Sequence, residues 1–238
     1  SNMTIIKGKY TAHITGDDWG CGVDKIIIHL SKKIHSINSL SVKEEKVVTD
    51  WTSPTFETKE ATFPRKITAA YLCNEKGDKV NLASEYIAIE MYISPDEGSP
   101  LNYYPLKGYN NWTSYRLIIE GSVNTNDTLD IKPKLKHKTT NADEFFLEER
   151  TYEGVTYNIA SCKKDSDVLV VWLHGLGEGK GIDHSDGYIP LLGNKVTSLI
   201  SDKFQSILNA SILVPQCPTF WMDNDGKSSN FNGAKILA

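Results

Sequence analysis

The sequence predicts an all-β sandwich followed by an α/β layer, because its pattern changes near residue 143. Up to about Glu120, short stretches rich in β-branched and aromatic residues alternate with turn clusters, as in β-sandwiches. Beyond residue 143, a hairpin signal, an apolar strand, an amphipathic helix and another apolar strand follow. That order indicates parallel strands joined by a crossover helix. We place the domains at 4–122 and 143–238, with a linker at 123–142.

Four stretches in the first half have the composition of strands. Several of them alternate apolar and polar residues, as strands with one solvent-facing side do. They are DKIIIHL (24–30), RKITAAYLC (65–73), SEYIAIEMYI (84–93) and SYRLIIEG (114–121). Turn clusters such as NEKGD and SPDEGSP separate them. No amphipathic helix is evident there, so we expect this half to be all-β.

The stretch from residue 121 to residue 143 is polar and contains Pro133. We expect a connector here, or a last strand followed by one. A solvated connector accounts for its four clustered lysines, with contact to an anion as the alternative. These residues are Lys132, Lys134, Lys136 and Lys138.

The second half carries signals for a hairpin, two buried strands and one helix. Two alternating stretches flank Glu153-Gly154, which predicts a β-hairpin. The nearly continuous apolar run DVLVVWLHG (167–175) is typical of a parallel strand covered on both faces. Apolar side chains recur at helical spacing over 194–209, which predicts one amphipathic helix capped by Asn194. ASILVPQCP (210–218) predicts a further buried strand.

A glycine-rich stretch, LHGLGEGKG (173–181), follows the first apolar strand. Open α/β sheets bind ligands at this end of their strands. Backbone N–H groups in such a loop stabilise the oxyanion of acyl transfer, and glycine lets the backbone approach a substrate closely. An ordinary glycine-rich turn between a strand and a helix is the alternative.

Three stretches of the second half carry a family resemblance: VVWLHGLGEG (170–179), GNKV (193–196) and LVPQCPTFWMD (213–223). They resemble the start of the catalytic domain of α/β-hydrolase-fold esterases, and more narrowly of bacterial esterases with an N-terminal immunoglobulin-like domain. GDDWGCGVDKIIIHL (16–30) and NNWTSYRLIIEG (110–121) resemble that accessory domain. The resemblance implies an immunoglobulin-like β-sandwich followed by the first, incomplete part of a doubly wound α/β-hydrolase domain. It also implies a serine carboxylesterase acting on a small-molecule ester.

The same resemblance assigns roles in the glycine loop. The implied oxyanion loop consists of His174, Gly175, Leu176 and Gly177. The backbone N–H of Leu176 would be the first oxyanion donor, and Gly177 would shape the loop. His174 would hold the loop in place, because the catalytic histidine of this fold follows the nucleophile and the acid along the chain.

Phe220 and Trp221 follow the last predicted strand and are candidates for substrate binding. At the ligand end of the sheet they would line an acyl or alcohol pocket, with packing beneath the loop as the alternative. Nearby, Asp223 and Asp225 do not complete a calcium-loop pattern, so we interpret them as turn carboxylates. We expect neither a metal nor a cofactor.

No G-x-S-x-G nucleophile elbow occurs in the 238 residues. Ser185, in DHSDG, is a poor candidate because no strand leads into it and Asp183 stands where the elbow needs a small residue. We therefore expect a chain that ends before its nucleophile, lacks a catalytic triad and has little or no activity. The apolar strand would then be an open sheet edge. We expect homo-oligomers through that edge or through the immunoglobulin-like domain, with poor solubility as the alternative outcome of an open edge.

A non-catalytic binding or oligomerisation module is the alternative function, with a carbohydrate or a protein as partner. It rests on an aromatic region in the first half, for which core or interface packing is the other interpretation. That region contains Tyr103, Tyr104, Tyr109 and Trp112.

Charge and composition exclude several partners. A net charge of −4 and a pI near 5.9 leave no case for nucleic acid or an anionic membrane surface. No apolar run reaches the roughly 18 residues that span a bilayer, and no signal peptide is evident. Four scattered cysteines without a CxxC pair indicate reduced thiols. We expect a cytoplasmic protein, or a secreted or cell-surface one if a signal was removed.

Overall fold

The structure, a computed structural model, describes residues 3–135, 138–146, 149–181 and 186–223. Its first half contains strands and turns, and the prediction of an all-β first half is confirmed. The strands are β1 (Ile5–Gly16), β2 (Cys21–Ile34), β3 (Ile37–Thr49), β4 (Thr58–Arg65), β5 (Ile67–Cys73), β6 (Ser84–Met91), β7 (Leu101–Tyr104), β8 (Tyr109–Trp112), β9 (Tyr115–Val123), β10 (Asp127–Ile131) and β11 (Lys138–Thr140).

Nine of these strands form one sheet that curls around a single core. The strand order is β4-β3-β9-β10-β1-β2-β6-β5, with β11 also paired to β1. The edge strands β4 and β5 are joined through Lys66 alone. Because consecutive Cα atoms lie only about 3.8 Å apart, the two edges must come together at this residue. Arg65 fixes the closure by donating to the carbonyl oxygens of Val23 at 2.7 Å and Tyr92 at 3.0 Å.

The core of the first half lies inside this curl. Alternate residues of β2, β6 and β9 point inwards, as the period of two in a strand requires. Among the fully buried side chains are Ile26, Ile28, Ile87, Ile89 and Leu117.

The segment assigned to a linker, 123–142, contains two strands. Both β10 and β11 run parallel to β1, pairing with Ile5–Gly8 and Ala12–Ile14 respectively. Asn141 then makes two hydrogen bonds with the backbone of Gly16, at 3.0 and 3.3 Å. Much of the segment is therefore attached to the first sheet.

The second half contains a four-stranded sheet with the order β12-β13-β15-β14. Its strands are β12 (Glu149–Tyr152), β13 (Val155–Ala160), β14 (Leu169–Val171) and β15 (Ser211–Gln216). The hairpin prediction is confirmed: Glu153 and Gly154 have φ of 45° and 81°, as a tight two-residue turn requires. The strands β14 and β15 are parallel.

The apolar run at 167–175 is less buried than predicted. Only three of its residues form β14, which pairs with β15 on one side within the described residues. Leu169 and Leu173 are 51% and 54% exposed, so the prediction of a strand covered on both faces is wrong. Among the described residues, the other edge of this apolar strand has no partner strand.

The prediction of a single helix over 194–209 is also wrong. A 3₁₀ helix at Val196–Ile200 and an α-helix, α1, at Asp202–Ile207 replace it. Ser201 interrupts the helix because its hydroxyl accepts a hydrogen bond from Phe204 N at 3.2 Å and caps α1. Asn194 has a φ of 55°; among the described residues its side chain donates to Glu178 Oε1 and does not cap the helix. Ile207, one of the apolar side chains at helical spacing that the pattern predicts to be buried, is 79% exposed.

The two halves pack directly on each other through residues 186–194, which include a 3₁₀ helix at Ile189–Leu192. Leu192 belongs to the core of the first half and Leu191 to that of the second, while Tyr188 contacts both. The described part of the chain holds no helix long and apolar enough for a membrane span.

Candidate active-site loop

The glycine loop begins where β14 ends, and two of its glycines have backbone angles that favour this residue. Gly177 and Gly181 have φ of 92° and 60°, in the left-handed region. A Cβ atom on Gly181 would also collide with the carbonyl oxygen of Lys107. A Cβ atom on Gly175 would meet nothing within 4 Å. The loop is thus pressed against the first half at one end and open at the other.

His174 joins the ends of the two parallel strands. Its Nε2 accepts a hydrogen bond from the N–H of Cys217, just after β15, at 3.0 Å. This bond assigns the proton to Nδ1, which donates to the carbonyl oxygen of Gly175 at 2.8 Å. Burial lowers the pKa of His174, against a smaller opposing effect of the Gly175 bond. Both ring nitrogens are occupied, so this neutral imidazole has no free nitrogen to act as a base.

Trp221 packs on His174, and both residues line one cavity. Its indole N–H donates to the carbonyl oxygen of His174 at 3.0 Å, and the two ring centroids lie 4.9 Å apart. Phe220 lies against Gly108 of the first half, where an added Cβ would be 2.6 Å from the phenyl ring. Together with the glycine loop, residues 219–223 line a cavity of about 430 Å³. Trp221 therefore both packs beneath the loop and lines the cavity.

Leu176 lies at the open end of the loop. Its side chain is 82% exposed. Within the described residues its backbone N–H donates to no acceptor. The role of this N–H as an oxyanion donor stays a prediction, as do the roles of the other loop residues.

The hairpin formed by β7 and β8 holds the loop from the first half. Both the backbone N–H and the side-chain Nδ2 of Asn110 donate to the carbonyl oxygen of Gly177, at 2.6 and 3.2 Å. The indole N–H of Trp112 donates to a carboxylate oxygen of Asp186 at 2.6 Å. Tyr109 is buried. The interface-packing interpretation thus describes Tyr109 and Trp112, whereas no sequence signal pointed to Asn110.

Two further polar side chains support the loop. Gln216, at the end of β15, donates from Nε2 to the carbonyl oxygens of Glu178 and Asp186, both at 3.0 Å. Glu178 Oε1 accepts a hydrogen bond from Asn194 Nδ2 at 2.7 Å, and its Oε2 has no partner among the described residues. Burial raises the pKa of Glu178 to about 7.

Some candidate residues lie outside the described residues, namely Ser185 and Asp225. Asp223 lines the cavity beside the loop. Among the described residues, His, Cys, Asp and Glu side chains do not form a group of three that would hold a metal ion.

The fold and the loop together define a class of protein in which a curled β-sheet supports a glycine loop in the second half of the chain. The family described as the esterase Ig-like N-terminal domain matches residues 9–132, more than half of the chain, and the chain belongs to this family. The crystal structure of a thermostable esterase has a similar fold, with a TM-score of 0.63 over 90% of this chain and 19% sequence identity. This chain spans 59% of the length of that esterase chain. None of the curated proteins matches it.

Proposed function

We propose that the chain is the N-terminal part of a serine carboxylesterase-like hydrolase that acts on small-molecule esters. In this proposal the second half is the first part of an α/β-hydrolase domain and supplies its oxyanion loop. The observation that carries the proposal is the N–H of Leu176, which has no acceptor among the described residues and belongs to a loop lining a 430 Å³ cavity.

The chemistry requires a donor in this position. Attack on an ester carbonyl converts its oxygen into an oxyanion, and each backbone donor fixed in advance lowers the barrier by about 2.7–4 kcal/mol. The two hydrogen bonds of His174 hold the loop in one conformation before the reaction starts, so no free energy is spent on ordering it during the reaction. Phe220 and Trp221 form the apolar wall for the acyl or alcohol group.

The described lining of the cavity offers no serine and no free imidazole. The proposal therefore assigns the nucleophile, acid and base to other parts of the enzyme, and this chain alone has little or no activity. Turnover of a p-nitrophenyl ester well above that of a heat-inactivated sample would contradict this assignment.

The first half has a structural role in this proposal. It holds Gly177 through Asn110 and presses Gly108 against Phe220, so it shapes the mouth of the site. The buried Tyr109 and the hydrogen-bonded Trp112 favour this role over binding of a ligand by the same aromatic residues.

The oxyanion role is tested in this chain by titration with monomethyl butylphosphonate, a tetrahedral anion that resembles the intermediate. We expect the ¹⁵N–¹H signal of Leu176 to shift with saturation. Leu176→Pro removes the N–H and should weaken binding at least about tenfold, the change for roughly 1.4 kcal/mol. Leu176→Ala keeps the N–H and should bind as the parent does. An unmoved Leu176 signal at saturating anion would overturn the oxyanion role.

A further inference from the structure

A second cavity, of about 540 Å³, lies between the two halves. This volume is within the roughly 300–1,000 Å³ of small-molecule sites. Its walls come from the turn between β1 and β2, from β3 and β7, and from residues 189–194. Asn110 and Glu178 also line it, so the glycine loop contributes to both cavities.

Trp51 is the most exposed aromatic residue on the wall of this second cavity, at 62% exposure. It is nevertheless held in place, because it stacks on Tyr103 with an interplanar angle of 11° and meets the edge of Phe56 at 5.7 Å. Trp19 and Phe63 line the same cavity and are also exposed. Aromatic surface that is kept rigid and open to solvent at a cavity indicates a binding site.

The polar groups of the cavity favour a ligand that donates hydrogen bonds and carries no negative charge. Asp18 and Asp96 are exposed carboxylates on its wall, and they only accept hydrogen bonds when ionised. Lys46 is the only cationic residue among the described lining residues, and its Nζ lies 2.9 Å from a carboxylate oxygen of Glu44. No unpaired positive charge is therefore left for an anionic ligand.

An organic cation fits the cavity less well. The aromatic cages that recognise organic cations bring several ring faces together around the charge. Here one face of Trp51 is covered by Tyr103, and the face of Phe63 is occupied by Lys46 Nζ at 5.5 Å from the ring centroid.

A sugar combines the features that these walls select. The C–H face of a pyranose ring packs on an open indole, and its hydroxyl groups donate to carboxylates and amides. We propose that this cavity binds a neutral oligosaccharide, with one ring stacked on Trp51 and hydroxyl groups bound by Asp18 and Asp96. This proposal does not depend on the ester chemistry, because Trp51, Asp18 and Asp96 do not line the cavity beside the glycine loop.

The test is isothermal titration of the chain with a panel of neutral hexasaccharides (xylohexaose, cellohexaose and mannohexaose), together with hexagalacturonate and benzyltrimethylammonium. We expect saturable binding of a neutral hexasaccharide that is at least about tenfold tighter than that of hexagalacturonate. Trp51→Ala should weaken it by at least about tenfold, the usual loss for a truncated aromatic anchor. Tyr152→Ala removes an aromatic side chain that is 46% exposed and lies outside both cavities, and should change nothing.

Three results would overturn the proposal. The first is no binding of any neutral hexasaccharide at millimolar concentration. The second is binding that Trp51→Ala and Tyr152→Ala affect equally, which would move the site elsewhere. The third is tighter binding of benzyltrimethylammonium, which would identify a cation site. Circular dichroism of each variant separates lost binding from lost folding.

Discussion

Replacing His174 by alanine should destabilise the second half, because the imidazole is the acceptor for a buried N–H. Cys217 is fully buried, and its N–H donates to His174 Nε2 at 3.0 Å. A buried donor left without a partner costs about 1–3 kcal/mol, and the lost contact with the Trp221 ring adds to this. We expect a loss of roughly 2–4 kcal/mol in the free energy of unfolding.

Urea denaturation followed by tryptophan fluorescence measures this loss. With an m-value of about 2 kcal/mol/M, the midpoint should fall by roughly 1–2 M. His13→Ala is the matched control, since His13 is paired with Asp24 at a partly exposed site, where such a pair contributes about 0–1 kcal/mol. If both variants lose the same small amount of stability, His174 does not clamp the loop.

The His174 contribution also depends on pH. Burial lowers the pKa of His174 in the folded chain below its usual value of 6.5. The unfolded chain therefore binds a proton first as the pH falls, and stability decreases below about pH 6.5. The His174→Ala variant should lose this part of the acid sensitivity, which urea midpoints between pH 5 and pH 8 would reveal.

Three further changes have defined outcomes. Glu178→Gln should remove a pH dependence of stability that is opposite in sign to that of His174. Because burial raises the pKa of Glu178 to about 7, the folded chain holds the extra proton and loses on the order of 3 kcal/mol as the pH rises from 4.5 through 7; an unchanged profile in urea midpoints would contradict this. Gly181→Ala should cost more stability than Gly154→Ala, since both have positive φ but only Gly181 faces a clash, with Lys107; equal thermal midpoints would contradict this. Leu169→Lys should shift any dimer seen by light scattering towards monomer, because a charge blocks pairing at the β14 edge; an unaffected dimer would place the contact elsewhere.

Local patterns predicted the strands with a clear apolar alternation and the tight hairpin, but not the closure of the sheet. The strand β3 contains the run Lys43-Glu44-Glu45-Lys46, which has no strand-like composition. Glu44 and Lys46 are nevertheless buried. Their burial is tolerated because the carboxylate of Glu44 lies 2.9 Å from Lys46 and 3.7 Å from Arg65. Arg65 lies on β4, so the sequence of β3 alone does not show that Glu44 has an arginine partner.

For the candidate site, too, local patterns were predictable from the sequence and contacts between distant segments were not. The position of a glycine-rich loop after an apolar strand is a local signal, and the loop at 173–181 does follow β14. The roles of His174 to Gly177 were implied by the family resemblance and stay a prediction. The contact of Asn110 with Gly177 joins residues 67 positions apart, and the sequence of neither segment indicates it. The break at Ser201 was missed because a serine in an amphipathic pattern is compatible with both a helix interior and a cap.

The hydrogen bonds from Asn110 to Gly177 limit how freely the two halves can be exchanged between related proteins. A chimera that takes its β-domain from another protein also takes a new hairpin at residues 101–112. Unless that hairpin keeps an amide donor opposite Gly177 and a glycine opposite Phe220, the recipient loop loses its support. A chimera that is to keep the conformation of the glycine loop must therefore carry the hairpin together with the loop, although they lie in different halves of the chain.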